Sequence, residues 1–465
     1  MNATNRNSAA SPSLSSASST ALSFAQALAA VMAQSSLVLQ QPSPTSGMVS
    51  LAAALGRVLA APILADRDQP PFDRATRDGY AVRAEDLQGA EVGSPLRIVG
   101  QVRAGEAWPA HRSALVAGEA VEIMTGAPLP PGANAVLMVE HAEEIAGTSA
   151  DSASLRPAAG RTLLPGANVV PRAGEARRGD ALVASGTRLG APHIAVAASC
   201  GLSSLPVYAR PRVAILATGD ELVEPDFEPG ASSAPIATHQ IYNSNSHSTA
   251  ALVAQAGAIP LRLPIARDQR ESLIGGIRAA LHPNLSADLL LLSGGVSMGK
   301  YDLVKEVLAN LGAEFFFTEV RIQPGKPLVF GRIPARDDYP ARYFFGLPGN
   351  PLSTMVTFAL FAYPLLMALA GEREGQPFFA MARLTEEVRH AAGLTRFLPA
   401  WLDRAPKHAP GFPPENAQFS EPTVTPMPWH GSGDLAANAR ANCYLVAPED
   451  QPVLSAGSYV RILLR

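Results

Sequence analysis

Three short segments set glycines beside groups that handle ions: Thr218-Gly219-Asp220-Glu221, Ser293-Gly294-Gly295-Val296-Ser297-Met298-Gly299 and Gly346-Leu347-Pro348-Gly349-Asn350-Pro351. Glycine lets backbone amides come close to a ligand, and amides opening a helix attract anions. Any one of these loops reads equally well as a tight turn; all three together describe a phosphate or oxyanion pocket. Carboxylates accompany them: Asp220 and Glu221 in the first loop, Asp268 after a later apolar run, and Asp302 just behind the second loop. Acidic oxygens beside an anion site are what Mg²⁺ needs to bridge protein and phosphate, although a single carboxylate there serves as readily as a helix N-cap. Lys326, in Gln323-Pro324-Gly325-Lys326-Pro327, can offer an ammonium to the same anion or remain a solvated loop lysine.

Other chemistries lack their residues. No GxxxxGK[ST] and no GxGxxG occurs, which sets aside standard nucleotide hydrolysis and dinucleotide redox chemistry. Cys200 and Cys443 are far apart and form no Cys-x-x-Cys pair, which speaks against a zinc ribbon, a dithiol centre or a disulfide framework and fits a reducing cytoplasm. With 37 Lys and Arg against 40 Asp and Glu, the formal charge of −3 supplies no basic surface for nucleic acid.

These loops need strands to end on and helices to lead into. The 465 residues are enough for about three domains. Hydrophobic residues at 47% and charged ones at 17% are ordinary globular usage, while 38 glycines and 41 prolines call for many turns. From 211 to 372 apolar runs alternate with helical stretches: 213–217, helix 246–256, 261–265, helix 270–281, 288–292, helix 303–311, then 315–317, 328–331 and 343–345. That rhythm predicts an open, mainly parallel sheet with helices on both faces, whose ligand sits outside the carboxyl ends of the strands.

Around this unit, 1–20 reads as a serine-rich disordered tail rather than a signal peptide, because a Ser/Ala/Asn tract separates Arg6 from the apolar stretch that follows. Segments 21–65 and 171–210 read as a helical and linker region, 66–170 as an inserted β-rich module, and 373–465 as short strands forming a small β-barrel or sandwich. The uncharged segment 351–371 approaches bilayer length, but its Ser353, Thr354, Thr357 and internal Pro364 mark a buried core helix interrupted near the proline, not a membrane span.

The strings PPFDRATRDGYAVR, EIMTGAPLPPGANAV, ATGDEL, SGGVSMGKYD, QPGKP and GLPGNPLST, in that order, resemble the molybdopterin molybdenumtransferase family, MoeA in bacteria and the E domain of gephyrin in animals. The resemblance runs from about residue 22 to the end. It implies a multidomain α/β subunit: a MogA-like three-layer α/β molybdopterin-binding domain with an inserted β-rich module, a helical N-terminal linker region and a C-terminal small β-barrel. It also implies a cytoplasmic homodimer that inserts molybdate into adenylylated molybdopterin with Mg²⁺ and releases AMP, working alongside the molybdopterin adenylyltransferase and the enzymes that accept the cofactor, with no membrane and no nucleic acid involved.

By motif, the resemblance gives roles to Asp78 and Thr125 of the module, which in the family face the α/β domain of the other subunit. It gives them likewise to Glu221, Asp268 and Asp302, with Glu221 and Asp302 as metal ligands. Substrate binding falls to Thr218, Gly219, Asp220, Ser293, Gly294, Gly295, Ser297, Lys326, the proline loop Pro348-Gly349-Asn350-Pro351, and Ser432 in His430-Gly431-Ser432-Gly433. The chain departs from the family pattern at Ala176, where an acid is common, at Gln323, in place of a lysine, and at Pro399, in place of an arginine, with Arg396 three residues earlier. Two rival readings use the same motifs: an adenylyltransferase activating molybdopterin with ATP, and a non-catalytic scaffold.

Overall fold

The computed structural model describes residues 21–41, 46–88, 94–145, 153–158, 162–225, 236–295, 303–337, 339–403 and 421–465. The tail 1–20 and two site candidates, Ser297 and Asp302, lie outside the described residues.

Helix α1 (Phe24–Gln40) opens on a capping box in which Ser23 and Gln26 satisfy each other's backbone amides. Its buried positions Ala27, Val31 and Ser35 recur every four residues, a single stripe. The helical pattern through residue 65 does not hold beyond this point. Ser46–Ser50 is a strand paired antiparallel with Ser204–Tyr208, followed by one helical turn, Leu51–Ala54. Gly56, at φ +73°, closes that turn, and pairing with a segment some 150 residues away outweighs the helical four-residue spacing of Leu51, Leu55 and Leu59.

The inserted module is a six-stranded sheet of β1 (Gly79–Val82), β2 (Leu96–Val102), β3 (Glu119–Ile123), β4 (Ala135–Met138), β5 (Ala142–Ile145) and β6 (Ser154–Pro157), in the order β4-β1-β3-β2-β6-β5. Helix α2 (Ala191–Ser199) follows it before the α/β unit.

The α/β sheet contains β7 (Arg212–Ala217), β8 (Ile259–Arg262), β9 (Leu289–Ser293), β10 (Glu314–Phe317), β12 (Val329–Ile333) and β13 (Arg342–Leu347); β11 (Ile322–Gln323) leaves it for another sheet. The order is β8-β7-β9-β13-β12-β10; the first four strands are parallel, and β12 runs against both its neighbours, β13 and β10. Strand β8 begins and ends earlier than its apolar run suggests, although the Leu263 amide still donates to the Ile215 carbonyl of β7 just past its end. Alternate residues feed two cores. Val213, Ile215, Leu289 and Leu291 join Val253 of α3 (Ser244–Gln255) on one face, while Ala214, Leu216, Leu290 and Leu292 join Leu273 and Ile277 of α4 (Arg270–Leu281) and Val304 and Val307 of α5 (Leu303–Asn310) on the other.

The apolar segment after β13 is α6 (Pro351–Thr357), a π-helical stretch Phe358–Ala362, and α7 (Tyr363–Leu369). The π-turn falls just ahead of Pro364, whose ring would crowd the carbonyl of an unbroken α-helix and whose nitrogen cannot donate to it. The segment is long and apolar enough to cross a membrane, yet Leu360, Phe361, Leu365 and Leu366 are fully enclosed by protein.

In the C-terminal domain β14 (Phe379–Leu384), β15 (Thr395–Asp403), β16 (Thr423–Pro426), β17 (Cys443–Ala447) and β18 (Tyr459–Leu464) run β15-β16-β14-β18-β17 and close through β15 and β17, a five-stranded barrel with a short helix α8 (Leu435–Arg440). Strand β11 pairs in parallel with β15, so the segment Ile322–Gln323 stitches the α/β unit to the barrel. Phe24 of α1 sits edge-on to Phe361, Phe379 and Phe397, joining helix, α/β unit and barrel in one aromatic cluster.

Candidate active site

Strand β7 is followed by β8 on one side, and the chain then crosses to β9 on the other, so the sheet's topological switch point lies between β7 and β9. The crevice beyond the carboxyl ends of such strands is where open α/β sheets bind ligands. All three glycine loops leave the neighbouring strands β7, β9 and β13 at this edge.

The loops are held at close approach. Gly294 has φ +95°, and a Cβ there would lie 2.5 Å from the Thr218 carbonyl oxygen; Gly295, at φ +65°, would place one 2.8 Å from the Thr218 hydroxyl. Only glycine fits these two positions. The proline loop is pinned from three directions. Asn245 donates to the Gly349 carbonyl at 2.6 Å, Thr354 donates to the Pro348 carbonyl at 2.6 Å, and Asn350 donates to the Ser432 hydroxyl at 2.8 Å.

The result is two adjoining chambers. The larger, about 580 Å³, is lined by Thr218, Gly219, Glu221, Asp268, Gly294, Gly295, Lys326, Pro348, Gly349, Asn350 and Ser432, with Leu394 and Trp429 of the barrel domain closing one side. The smaller, about 480 Å³, takes Ser293 and Pro351 into its wall together with Tyr242 and Asn243 to Asn245. Thr218, Glu221, Ile241, Gly294, Gly349 and Asn350 border both.

Within this frame the acids differ. Asp220 lines neither chamber; its carboxylate accepts from the Asp268 amide at 3.2 Å and its carbonyl from Arg267 at 3.1 Å, tying the loop after β7 to the segment after β8. Burial, then the charges of Asp220 and Glu221, hold the Asp268 carboxyl above its ordinary range. A cation would relieve that repulsion, and the oxygen-only donor set suits a hard ion, so the residues present fit Mg²⁺. Among the described residues no three His, Cys, Asp or Glu side chains converge as a preformed metal cluster. Lys326 reaches the larger chamber while paired with Glu319 at 2.8 Å. Among the described residues the Thr218 hydroxyl, on a residue only 4% exposed, has no hydrogen-bond partner, and neither has the Asn245 side-chain oxygen.

Asp78 and Thr125 do not join these chambers. They meet each other instead, in exposed loops of the module, where Thr125 donates its amide (2.7 Å) and hydroxyl (3.0 Å) to one Asp78 oxygen. Asn243–Asn245 span the entry of α3, where asparagine is ordinarily a helix cap. Asn243 is one, accepting from the Ser246 amide, but Asn245 braces the proline loop. Trp429 and Leu394 were missed because nothing in their sequence neighbourhood marks a pocket.

Crevice, carboxylates and glycine loops define a multidomain α/β protein built to hold a phosphorylated or oxyanionic ligand at a sheet's switch point. Residues 22–201 match the MoeA N-terminal region (domain I and II), 214–368 the probable molybdopterin binding domain, and 381–464 the MoeA C-terminal region (domain IV). The chain is 34% identical over 419 residues to a Nostoc protein named molybdopterin molybdenumtransferase, covering 90% of this chain and 88% of the relative. It is 31% identical to the Bacillus subtilis protein of that name, covering 90% and 89%. The solved structure of a molybdopterin biosynthesis MoeA protein from Pyrococcus horikoshii matches with a TM-score of 0.67 and 30% identity over 96% of this chain and 99% of that one. The chain belongs to the MoeA family.

Proposed function

We propose that this chain is a molybdopterin molybdenumtransferase, inserting molybdate into adenylylated molybdopterin with release of AMP. The observation that carries the reading is the convergence on one cavity of three glycine loops, Glu221, Lys326 and Ser432, in a chain that parallels the named relatives over nine-tenths of its length. Loop amides and Lys326 hold the phosphates and the incoming oxyanion in place, and Ser432 and Asn350 fix the wall against which they rest. Glu221 and Asp268, with Asp302, are the residues that would hold Mg²⁺. When bound, the ion supplies Lewis-acid polarisation of the phosphoanhydride.

Asp78 and Thr125 complete the site from a second subunit of a homodimer, which accounts for their distance from the chambers of their own chain. The protein works in the cytoplasm, between the adenylyltransferase that supplies its substrate and the enzymes that take up the cofactor. The barrel wall of Leu394, Trp429 and Ser432 is the feature that favours this activity over adenylyl transfer from ATP.

The test is AMP release from adenylylated molybdopterin with Mg²⁺, with and without micromolar molybdate. Release that requires molybdate, and disappears in Glu221→Ala, supports the assignment. AMP formed only from ATP would make the protein the activating enzyme, and no activity at all would leave the scaffold.

A further inference from the structure

A third cavity, about 400 Å³, shares none of the residues that line the two chambers. It lies between the last turn of α3, the end of α6 with its π-helical continuation, and the barrel. Its walls are apolar and largely aromatic, with Leu252, Met355, Phe358, Tyr363, Phe378 and Tyr444 among them. Phe358 and Ala359 reach it from the π-helical stretch, a distortion that often falls at functional sites. Phe378 is 62% exposed, so a large apolar ring of this wall meets water. A mostly apolar hollow of this size with few polar groups is what small-molecule ligands use.

Among the described residues Arg465 is the one charged side chain on the wall, and it forms no ion pair with an acidic side chain. Its Nη1 donates to the carbonyls of Asn438 and Ala441, and its guanidinium lies 5.4 Å from the centre of the Tyr444 ring. Tyr444 in turn donates to the Asn438 side-chain oxygen at 2.8 Å, and the Asn438 amide to the Met355 sulfur at 2.8 Å. The guanidinium is thus held in place while Nε and Nη2 keep their donors. No glycine and no acid line this cavity, so neither the phosphates nor the cation of the main site has a place in it.

We propose that this cavity binds a small amphipathic carboxylate, its apolar body against Phe358 and Tyr363 and its carboxylate on the free edge of Arg465. Burial of the body supplies the affinity, and the guanidinium selects the head. An ammonium head is repelled there, and a hydroxyl forgoes the charge-assisted bond.

The experiment is calorimetric titration of the full-length protein with octanoate, octanol and octylammonium. Octanoate should bind at a single site about tenfold more tightly than octanol, with octylammonium the weakest. Lengthening the acid by two methylenes should tighten binding roughly tenfold. Arg465→Gln should bring octanoate down to the level of octanol and leave octanol unchanged. Ala359→Phe, which fills the cavity, and Phe378→Ser, which removes an exposed part of its wall, should each weaken octanoate, with the melting temperature reporting that both variants fold. Glu221→Ala should bind octanoate as wild type does. The proposal is overturned by octanoate binding no more tightly than octanol, by its absence from wild type, by its loss in Glu221→Ala, or by its persistence unaltered in both Ala359→Phe and Phe378→Ser.

Discussion

Thr125 spends two donors on a single acceptor: both its N–H and its hydroxyl point at Oδ1 of Asp78. The backbone bond first, and the hydroxyl second, hold the Asp78 carboxyl below its ordinary range. A depressed carboxylate contributes stability above its unfolded value of about 3.9 and loses it as pH falls through the folded value. The link should therefore be intact throughout the neutral range. Carboxyl-carbon NMR should show Asp78 titrating below about 3.9 in wild type and higher, yet still below that value, in Thr125→Ala, which removes the hydroxyl and keeps the stronger backbone bond.

If Asp78 serves the partner subunit's chambers, two inactive variants should rescue each other. Asp78→Asn and Glu221→Ala homodimers, unfolded and refolded together, would assort so that half the dimers are mixed and each mixed dimer carries one complete site. Roughly a quarter of wild-type AMP release should return. A mixture that stays inactive would place both residues in one subunit's site.

Glu221 borders both chambers, so its loss should be felt in the chemical step rather than only in binding. Glu221→Gln, which keeps the shape and removes the charge, should lower the rate of molybdate-dependent AMP release on the order of a hundredfold. Chelation should abolish release in wild type and added Mg²⁺ should restore it, with Glu221→Gln needing more of the ion.

The two glycines that face each other across the shared wall should behave oppositely. Gly294→Ala forces a methyl to 2.5 Å from the Thr218 carbonyl at a φ of +95° and should cost about 1–3 kcal/mol in thermal or denaturant unfolding. At Gly349 the added Cβ would meet nothing nearer than the Gly294 Cα at 3.7 Å. Gly349→Ala should stay within about 0.5 kcal/mol of wild type, yet raise the KM for substrate by narrowing the passage between chambers.

The site was legible wherever chemistry is written in consecutive residues. Thr218 to Glu221, Gly294 and Gly295, and Pro348 to Pro351 each carry their glycines and acids in one loop, and strand–helix alternation alone puts those loops on one sheet edge. Tyr242 and Asn245 were not legible as site residues, because a tyrosine ending a short strand and an asparagine opening a helix have commonplace local uses. Only the fold brings them to the same wall as Thr218. The strand Ser46–Ser50 was hidden for a related reason: its partner, Ser204–Tyr208, is remote in the chain, and no local pattern announces so distant a pairing. The barrel's closure depends likewise on β15 meeting both β16 and β17, a fact of register rather than composition.

The pairing of β11 with β15 limits how the parts can be exchanged. Phe397, Tyr444 and Leu463 of the barrel lie in the same buried cluster as Val213 and Leu289 of the sheet and Ala27 and Val31 of α1. A chain ended at residue 372 would take Phe397, Tyr444 and Leu463 out of that cluster, and would strip Trp429 and Ser432 from the pocket at the same stroke. Solubility and substrate capture are thus tied to one seam. A transplant of the α/β unit into another protein would have to carry the barrel and the first helix with it.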